Sequence, residues 1–300
     1  MSFKHANQDT HQACRSLLQK AVRRGAVNLV RNTIEHLVDV GDKAWLRQRC
    51  VVIMAEECWP ILIRFEYAAD ISKITDQLIA VTRSVKNKNA AGLGSLSYAF
   101  SEGDRTALKS LVDDRPVRIV ASGLGRPEEY WRWLVNSCAT EEQVILIQKL
   151  QDLYKKCGWP WDKAFVFAAG YLFINDPKAV VENTSMRDDE PFPFWVALDR
   201  HTPEGKKAIA EVAAQMSIPA VRLGWVSFYC ESAVTDQSCE ADWFIRERDW
   251  RLAKEGLDYP AALHLWRRAA PLFEDYLQNE VLILREHVSP NENFTQLTLL

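Results

Sequence analysis

Several features are missing from this 300-residue sequence, and each omission closes off a class of protein. No segment approaches the roughly 20 consecutive apolar residues that a membrane-spanning helix needs. The opening MSFKHANQDT lacks the apolar run of a secretory signal. The seven cysteines, at 14, 50, 58, 138, 157, 230 and 239, are odd in number and scattered, without a CxxC pair, whereas a secreted disulfide framework shows tighter, even usage. These omissions predict a cytoplasmic chain with reduced thiols and no membrane partner. No GxxxxGK[ST] loop is present to wrap a triphosphate, and neither GxSxG nor HExxH occurs. Gly92-Leu-Gly94 and Gly123-Leu-Gly125 lack the lysine and the preceding strand of a phosphate cradle, so they read as turns. His5, His11 and Cys14 imitate a metal cluster but fall in a fraying terminus, and neither metal nor cofactor is expected. Strand signals are nearly absent, and no internal repeat is visible.

What is present describes a globular, helical protein. Hydrophobic residues make up 48% and charged residues 26%, with mean hydropathy −0.21, and 300 residues are ample to bury a core. With a formal net charge of −3 and a pI near 6.1, whole-molecule charge does not steer the chain onto nucleic acid; any such contact needs a local patch. Eleven tryptophans point to a core rich in large apolar surfaces.

Periodicity and cap residues predict helices over about 11–24, 27–40, 43–58 and 60–85, with Gly25 and Gly41 as stops, Asp42 as a cap and Trp59-Pro60 as a break. Connections of two or three residues force neighbours to pack antiparallel. The segment 83–94, polar and basic, is the first plausible boundary, dividing an N-terminal subdomain (1–94) from a helical collar-like one (95–287). In the second, helices are expected over 104–112, 127–138, 140–157 and 163–174. The piece 115–124 fits either a strand or a helix. A long loop covers 175–193, and 288–300 forms a loose tail. The sharpest helix start is at Thr202-Pro203, an N-cap followed by a proline whose missing N–H costs nothing there. Two or three Trp-rich helices fill 220–285. The fold class is all-α.

One stretch stands apart in charge. Arg15 to Arg31 carries Arg15, Lys20, Arg23, Arg24 and Arg31 with no acidic residue. Lys20, Arg23 and Arg24 fall at i, i+3 and i+4, so their charges can share one strip. That strip, with Arg31, is a candidate phosphate contact; Lys86 and Lys88 beside Arg83 form a second, and Lys206 and Lys207 at a helix start a third. Each competes with the plainer reading of a solvated helix face. Glu56-Glu57 is a carboxylate pair, but adjacent helical residues point about 100° apart and cannot jointly flank one substrate. Asp199, Arg200 and His201 gather an acid, a base and an imidazole at a helix entrance, where a structural role outweighs a catalytic one. Between 231 and 258, eight acidic residues face four basic ones around tryptophans, a candidate protein-binding surface.

Two stretches resemble one family. Residues 19–60 supply Gln19-Lys20, Arg24-Gly25, Val40-Gly41-Asp42, Arg47, Arg49 and Ala55-Glu56-Glu57. They are similar to the "QK…RG", "GED"-like and "RR…ASED" pattern that follows the ATPase core in clamp-loader-like AAA+ proteins of the maintenance-of-genome-stability group, called Werner-helicase-interacting proteins in eukaryotes. WVALDRHTPEGK (195–206) resembles the same family's "WA.D.HT..G" segment. The resemblance implies a multi-helix antiparallel array like a clamp-loader-type C-terminal oligomerisation domain, which would form homo-oligomers, commonly tetramers, and act at stalled replication forks. The nucleotide-binding domain lies upstream in the family and has no counterpart in these residues, so the resemblance does not carry ATP hydrolysis with it. The expectation is a non-enzymatic helical protein in DNA replication, repair or mobile-element defence, with DNA and a separate AAA+ ATPase as partners. The alternatives are a protein-interaction module without a DNA role and an enzyme with a site near His201.

Overall fold

Helix ends in this protein are set by local chemistry. In the computed structural model, which describes residues 3–67, 70–109, 111–176, 193–235 and 239–288 (backbone only for 3–10), α1 (Phe3–Arg24) and α2 (Val27–Asp39) stop at Gly25 and beside Gly41. The φ angles there are 76° and 86°, a region that glycine enters without a Cβ penalty. α3 (Lys43–Cys58) runs into a 3-10 turn at Trp59–Arg64, so the break at Trp59-Pro60 holds and the next helix is shorter than expected: α4 (Ile71–Arg83), capped by Asp70 accepting from Ser72 N.

After the two-residue strand β1 (Lys86–Asn87) comes α5 (Asn89–Ser101), where a boundary had been expected. It is the most enclosed helix, buried at every residue from Asn89 to Ser97, and it packs against α3 and four later elements. Its glycines are not turns. A Cβ on Gly92 would stand 2.2 Å from the backbone of Phe244, and one on Gly94 would stand 2.8 Å from the Phe165 ring. Small residues at these points let two other helices come close.

The expected helix over 104–112 reduces to a 3-10 turn at Arg105–Leu108, with Asp104 as its cap. The ambiguous piece is helical: α6 (Arg115–Gly125), started by Pro116. α7 (Pro127–Ser137), α8 (Glu141–Tyr154, capped by Thr140) and α9 (Pro160–Asn175) follow. They pack through aromatic rings, with Tyr130, Trp131, Tyr154 and Phe167 at centroid separations of 4.7–5.8 Å. Each such ring contributes about 1.5–3 kcal/mol by leaving water. The expected 175–193 loop lies almost wholly outside the described residues, as does nearly all of the 288–300 tail.

The chain continues through a 3-10 turn (Phe194–Val196), α10 (Pro203–Gln215), α11 (Ala220–Ser227) and a π-turn (Phe228–Ser232). Then come β2 (Cys239–Glu240), which pairs in parallel with β1, α12 (Asp242–Lys254), α13 (Tyr259–Tyr276) and α14 (Gln278–Val288). The described residues thus form fourteen α-helices and two two-residue strands, an all-α protein. No described helix is long and apolar enough to cross a membrane.

Candidate functional site

Helix α1 carries its positive charge into the interior. From Leu17 to Val27 only Gln19 escapes full burial, and a helix enclosed on every side belongs to the core. Its cations must then find acceptors within the protein, because an unpaired buried charge is costly.

Each one does. Lys20 Nζ donates to the carbonyl oxygens of Trp195 (3.1 Å), Val196 (3.4 Å) and Leu198 (2.6 Å), at the end of a 3-10 turn. Burial lowers the Lys20 pKa to about 8, with Asp199 opposing the fall. Arg23 donates from Nε to Glu57 at 2.7 Å, from Nη2 to Glu56 at 2.9 Å, and from Nη1 to the Ser232 carbonyl. Burial alone would lower its pKa, but the two carboxylates push it up. Arg24 reaches Glu231 Oε1 at 2.5 Å and lies 4.7 Å above the Trp195 ring. At the helix's outer side, Arg15 forms two 2.6 Å bonds with Asp42. Asp42 thus stands at the α3 N-cap position but spends its carboxylate on Arg15, with no side-chain capping bond.

The second basic cluster is buried as well. Lys86 Nζ donates to the carbonyls of Val81, Thr82 and Ser84 at 2.7–3.0 Å, closing the C-terminal turn of α4, and burial brings its pKa to about 8. Lys88 sits 3.6 Å from Glu57 Oε2, 3.3 Å from the Ala233 carbonyl and 4.4 Å from the Phe244 ring centre. Burial, then repulsion from Arg23, lowers the Lys88 pKa. Burial would raise the carboxyl pKa of Glu57, but Arg23 and Lys88 outweigh it and hold the group ionised.

These positions correct the surface reading. Lys20, Arg23, Arg24, Lys86 and Lys88 are each no more than 8% exposed, so they present no strip to a phosphate backbone. The acceptors that enclose Lys20, Arg23, Arg24 and Lys88 come from far along the chain: Glu56, Glu57, Glu231 and the carbonyls of 195–198 and 232–233; those of Lys86 are local, in 81–84. Arg31 on α2, and Lys206 and Lys207 on α10, are exposed. Glu56 and Glu57 do converge on one group, the Arg23 guanidinium, because its fork offers N–H donors in two directions.

Asp199, Arg200 and His201 diverge. Asp199 points inward to Ser16 and also accepts from the His201 backbone N at 2.8 Å; its pKa is depressed, the bonds from His201 and Ser16 and the Lys20 charge outweighing burial. The His201 side chain is 73% exposed, with Nδ1 3.0 Å from Asp199, and Arg200 lies over Trp225. Thr202 caps α10 by accepting from Gly205 N. Gly205 is required because a Cβ there would stand 1.8 Å from the Asp199 carbonyl oxygen.

The acidic, Trp-bearing segment also splits. Trp250 is buried, with Nε1 on Thr106 Oγ1 at 3.0 Å, and Glu247 is buried under the Tyr229 hydroxyl at 2.6 Å. Glu240, Asp242, Asp249 and Asp258 face solvent. A cavity of about 250 Å³ lies between α6 and α7, lined by Ile119, Ser122, Arg126, Glu129, Tyr130 and Trp133. Among the described residues, no group of three or more His, Cys, Asp or Glu could hold a metal ion. No family model, curated protein or solved structure matches the chain.

Proposed function

We propose that this chain is a non-enzymatic helical assembly module of the kind that follows the ATPase core in clamp-loader-like AAA+ proteins. It would serve DNA replication, repair or mobile-element defence by self-association and by partnering a separate ATPase. One observation supports the reading above the others: the two stretches that carry the resemblance, 19–60 and 195–206, form a single unit. Lys20 from the first closes the carbonyls of Trp195 and Leu198 in the second, and Arg23 joins Glu56 and Glu57 within the first. In this reading the basic residues of α1 build the unit, and any DNA contact falls to Arg31, Lys206 and Lys207.

Light scattering of the purified chain over a range of concentrations tests the assembly half, with a closed homo-oligomer expected. A monomer at every concentration would overturn self-association. A second reading, an interaction module with no DNA role, is favoured by the burial of five cations in a chain of net charge −3. Titration with duplex and single-stranded DNA at low salt separates the two, since even non-specific binding by surface cations should appear there and fall steeply as salt is added. An oligomer that ignores DNA at low salt selects the second reading.

A further inference from the structure

Arg200 leaves its neighbours Asp199 and His201 and reaches a different part of the molecule. Its guanidinium stands 3.6 Å from the centre of the Trp225 ring of α11. Arg251 of α12 comes to the same indole at 4.8 Å and also lies near Trp250 (4.2 Å) and Trp161 (5.3 Å). Two cations therefore share one ring. Arg251 Nε donates to Glu247 at 3.2 Å, but its Nη2 is buried with no hydrogen-bond partner among the described residues, and so is Nη1 of Arg200. The Arg251 side chain is only 12% exposed. Burial lowers the pKa of Arg200, and the Arg251 charge lowers it further.

The nearby carboxylates do not complete these groups. Glu247 already accepts from the Tyr229 hydroxyl and from Arg251 Nε. Asp199 is turned to Ser16 and His201. A buried guanidinium N–H left without an acceptor is costly and uncommon, and two of them beside one ring call for an anion.

We propose that Arg200 and Arg251 form a binding site for a phosphoryl oxyanion beside Trp225, between the turn that precedes α10 and helices α11 and α12. Two guanidinium groups held by separate parts of the chain lie 3.6 and 4.8 Å from one ring centre, and two forks together suit a tetrahedral anion with several oxygens; a planar carboxylate is satisfied by a single fork. Arg200 and Trp225 are half-buried rather than sealed, so the anion arrives from solvent, and the exposed Lys206 and Lys207 of α10 add attraction along the way. Trp225 already contacts Tyr229 and Phe228 besides the two arginines. Recognition therefore runs through the phosphoryl group and not through stacking of a base. This inference stands apart from the assembly reading, because oligomeric state and anion binding are measured separately.

The test is a calorimetric titration of the purified 300-residue chain with sodium phosphate at constant ionic strength, alongside melting curves in phosphate and in chloride. Saturable binding at one site and a melting temperature raised by phosphate alone are expected. Arg200→Gln should weaken binding at least about tenfold, whereas the double variant Lys206→Gln, Lys207→Gln should change it far less. No saturable binding by the natural chain, or equal affinity in Arg200→Gln, overturns the proposal. Should Arg200→Gln lose its helical circular dichroism, Arg200→Lys replaces it; that variant keeps the charge and the stem but loses the fork, and the same weakening is expected. Competition then identifies the source of the anion. Displacement of phosphate by any oligonucleotide supports a backbone diester, displacement only by a 5′-phosphorylated one supports a terminal monoester, and displacement by neither supports a free small phosphate.

Discussion

Two parts of the interior are built on opposite principles. Around Tyr130, Trp131, Tyr154 and Phe167 the packing is dry, ring against ring, with the Tyr130 hydroxyl placed on the Phe167 carbonyl at 2.8 Å. Around Arg23 it is ionic, with carboxylates and carbonyls from 56–57 and 231–233 closing on Arg23, Arg24 and Lys88. Apolar burial is non-directional and supplies most of the driving force. Buried ion pairs often return little net stability against their desolvation, yet removing one partner is severe. The dry sector therefore says how firmly helices hold, and the ionic sector says which segments are allowed to meet.

The sharpest way to break that contrast is to remove one partner in each sector. Glu57→Ala leaves Arg23 and Lys88 without their shared anion and should cost about 3–5 kcal/mol in urea unfolding near neutral pH. The loss should shrink at alkaline pH, because Lys88, already easier to deprotonate than an ordinary lysine, can then shed its charge. Phe167→Ala should cost a similar 3–5 kcal/mol, but equally at every pH. Matching pH profiles for the two variants would abolish the distinction.

A smaller effect is expected where helices touch without charge. Gly92→Ala forces a Cβ into the backbone at Trp243 and Phe244 and should destabilise by about 1–3 kcal/mol, read as a lower urea midpoint. Next comes the pH dependence of the natural chain. Lys20 and Lys86, at about 8 against an ordinary 10.5, release protons in the folded state before the unfolded chain does, so their contribution makes stability rise as pH increases above about 8. The thiols of Cys14, Cys157 and Cys230 act the other way. Burial pushes each to about 12 against an ordinary 9.0, so the stability they confer is complete below pH 9 and is lost as pH climbs toward 12. The urea midpoint should thus rise slightly from pH 8 to 9, by on the order of 1 kcal/mol in free energy, and then fall; Lys20→Met should blunt the rise. Smallest of all, Lys206→Gln with Lys207→Gln should shift stability by less than about 0.5 kcal/mol, as exposed residues outside both sectors.

Much of the helical layout was legible because end signals act locally. Thr140 and Thr202 accept from Gln143 N and Gly205 N as their sequence positions suggest, and Gly25 ends α1. α5 escaped because glycine carries two meanings. In Asn89-Ala-Ala-Gly-Leu-Gly it marks close helix contact, and no local rule separates that from a turn. The charged interior escaped for a related reason. The 15–31 stretch contains no anion, so its cations look free until the fold brings Glu56, Glu57 and Glu231 to them. No local sign separated the two readings: Leu17, Leu18, Ala21 and Val22 share one side of the helix and Lys20, Arg23 and Arg24 the other, the pattern of a helix lying on a surface.

The ammonium group of Lys20 on the carbonyls of 195–198 gives the first helix an unusual place in the economy of the chain. The turn that leads into α10 is held by a segment 175 residues earlier in the chain, so its formation depends on a contact of very long sequence separation, of the kind that slows folding. Shortening the protein from its amino end past Lys20 would therefore not trim an edge; it would withdraw the peg on which that turn is hung.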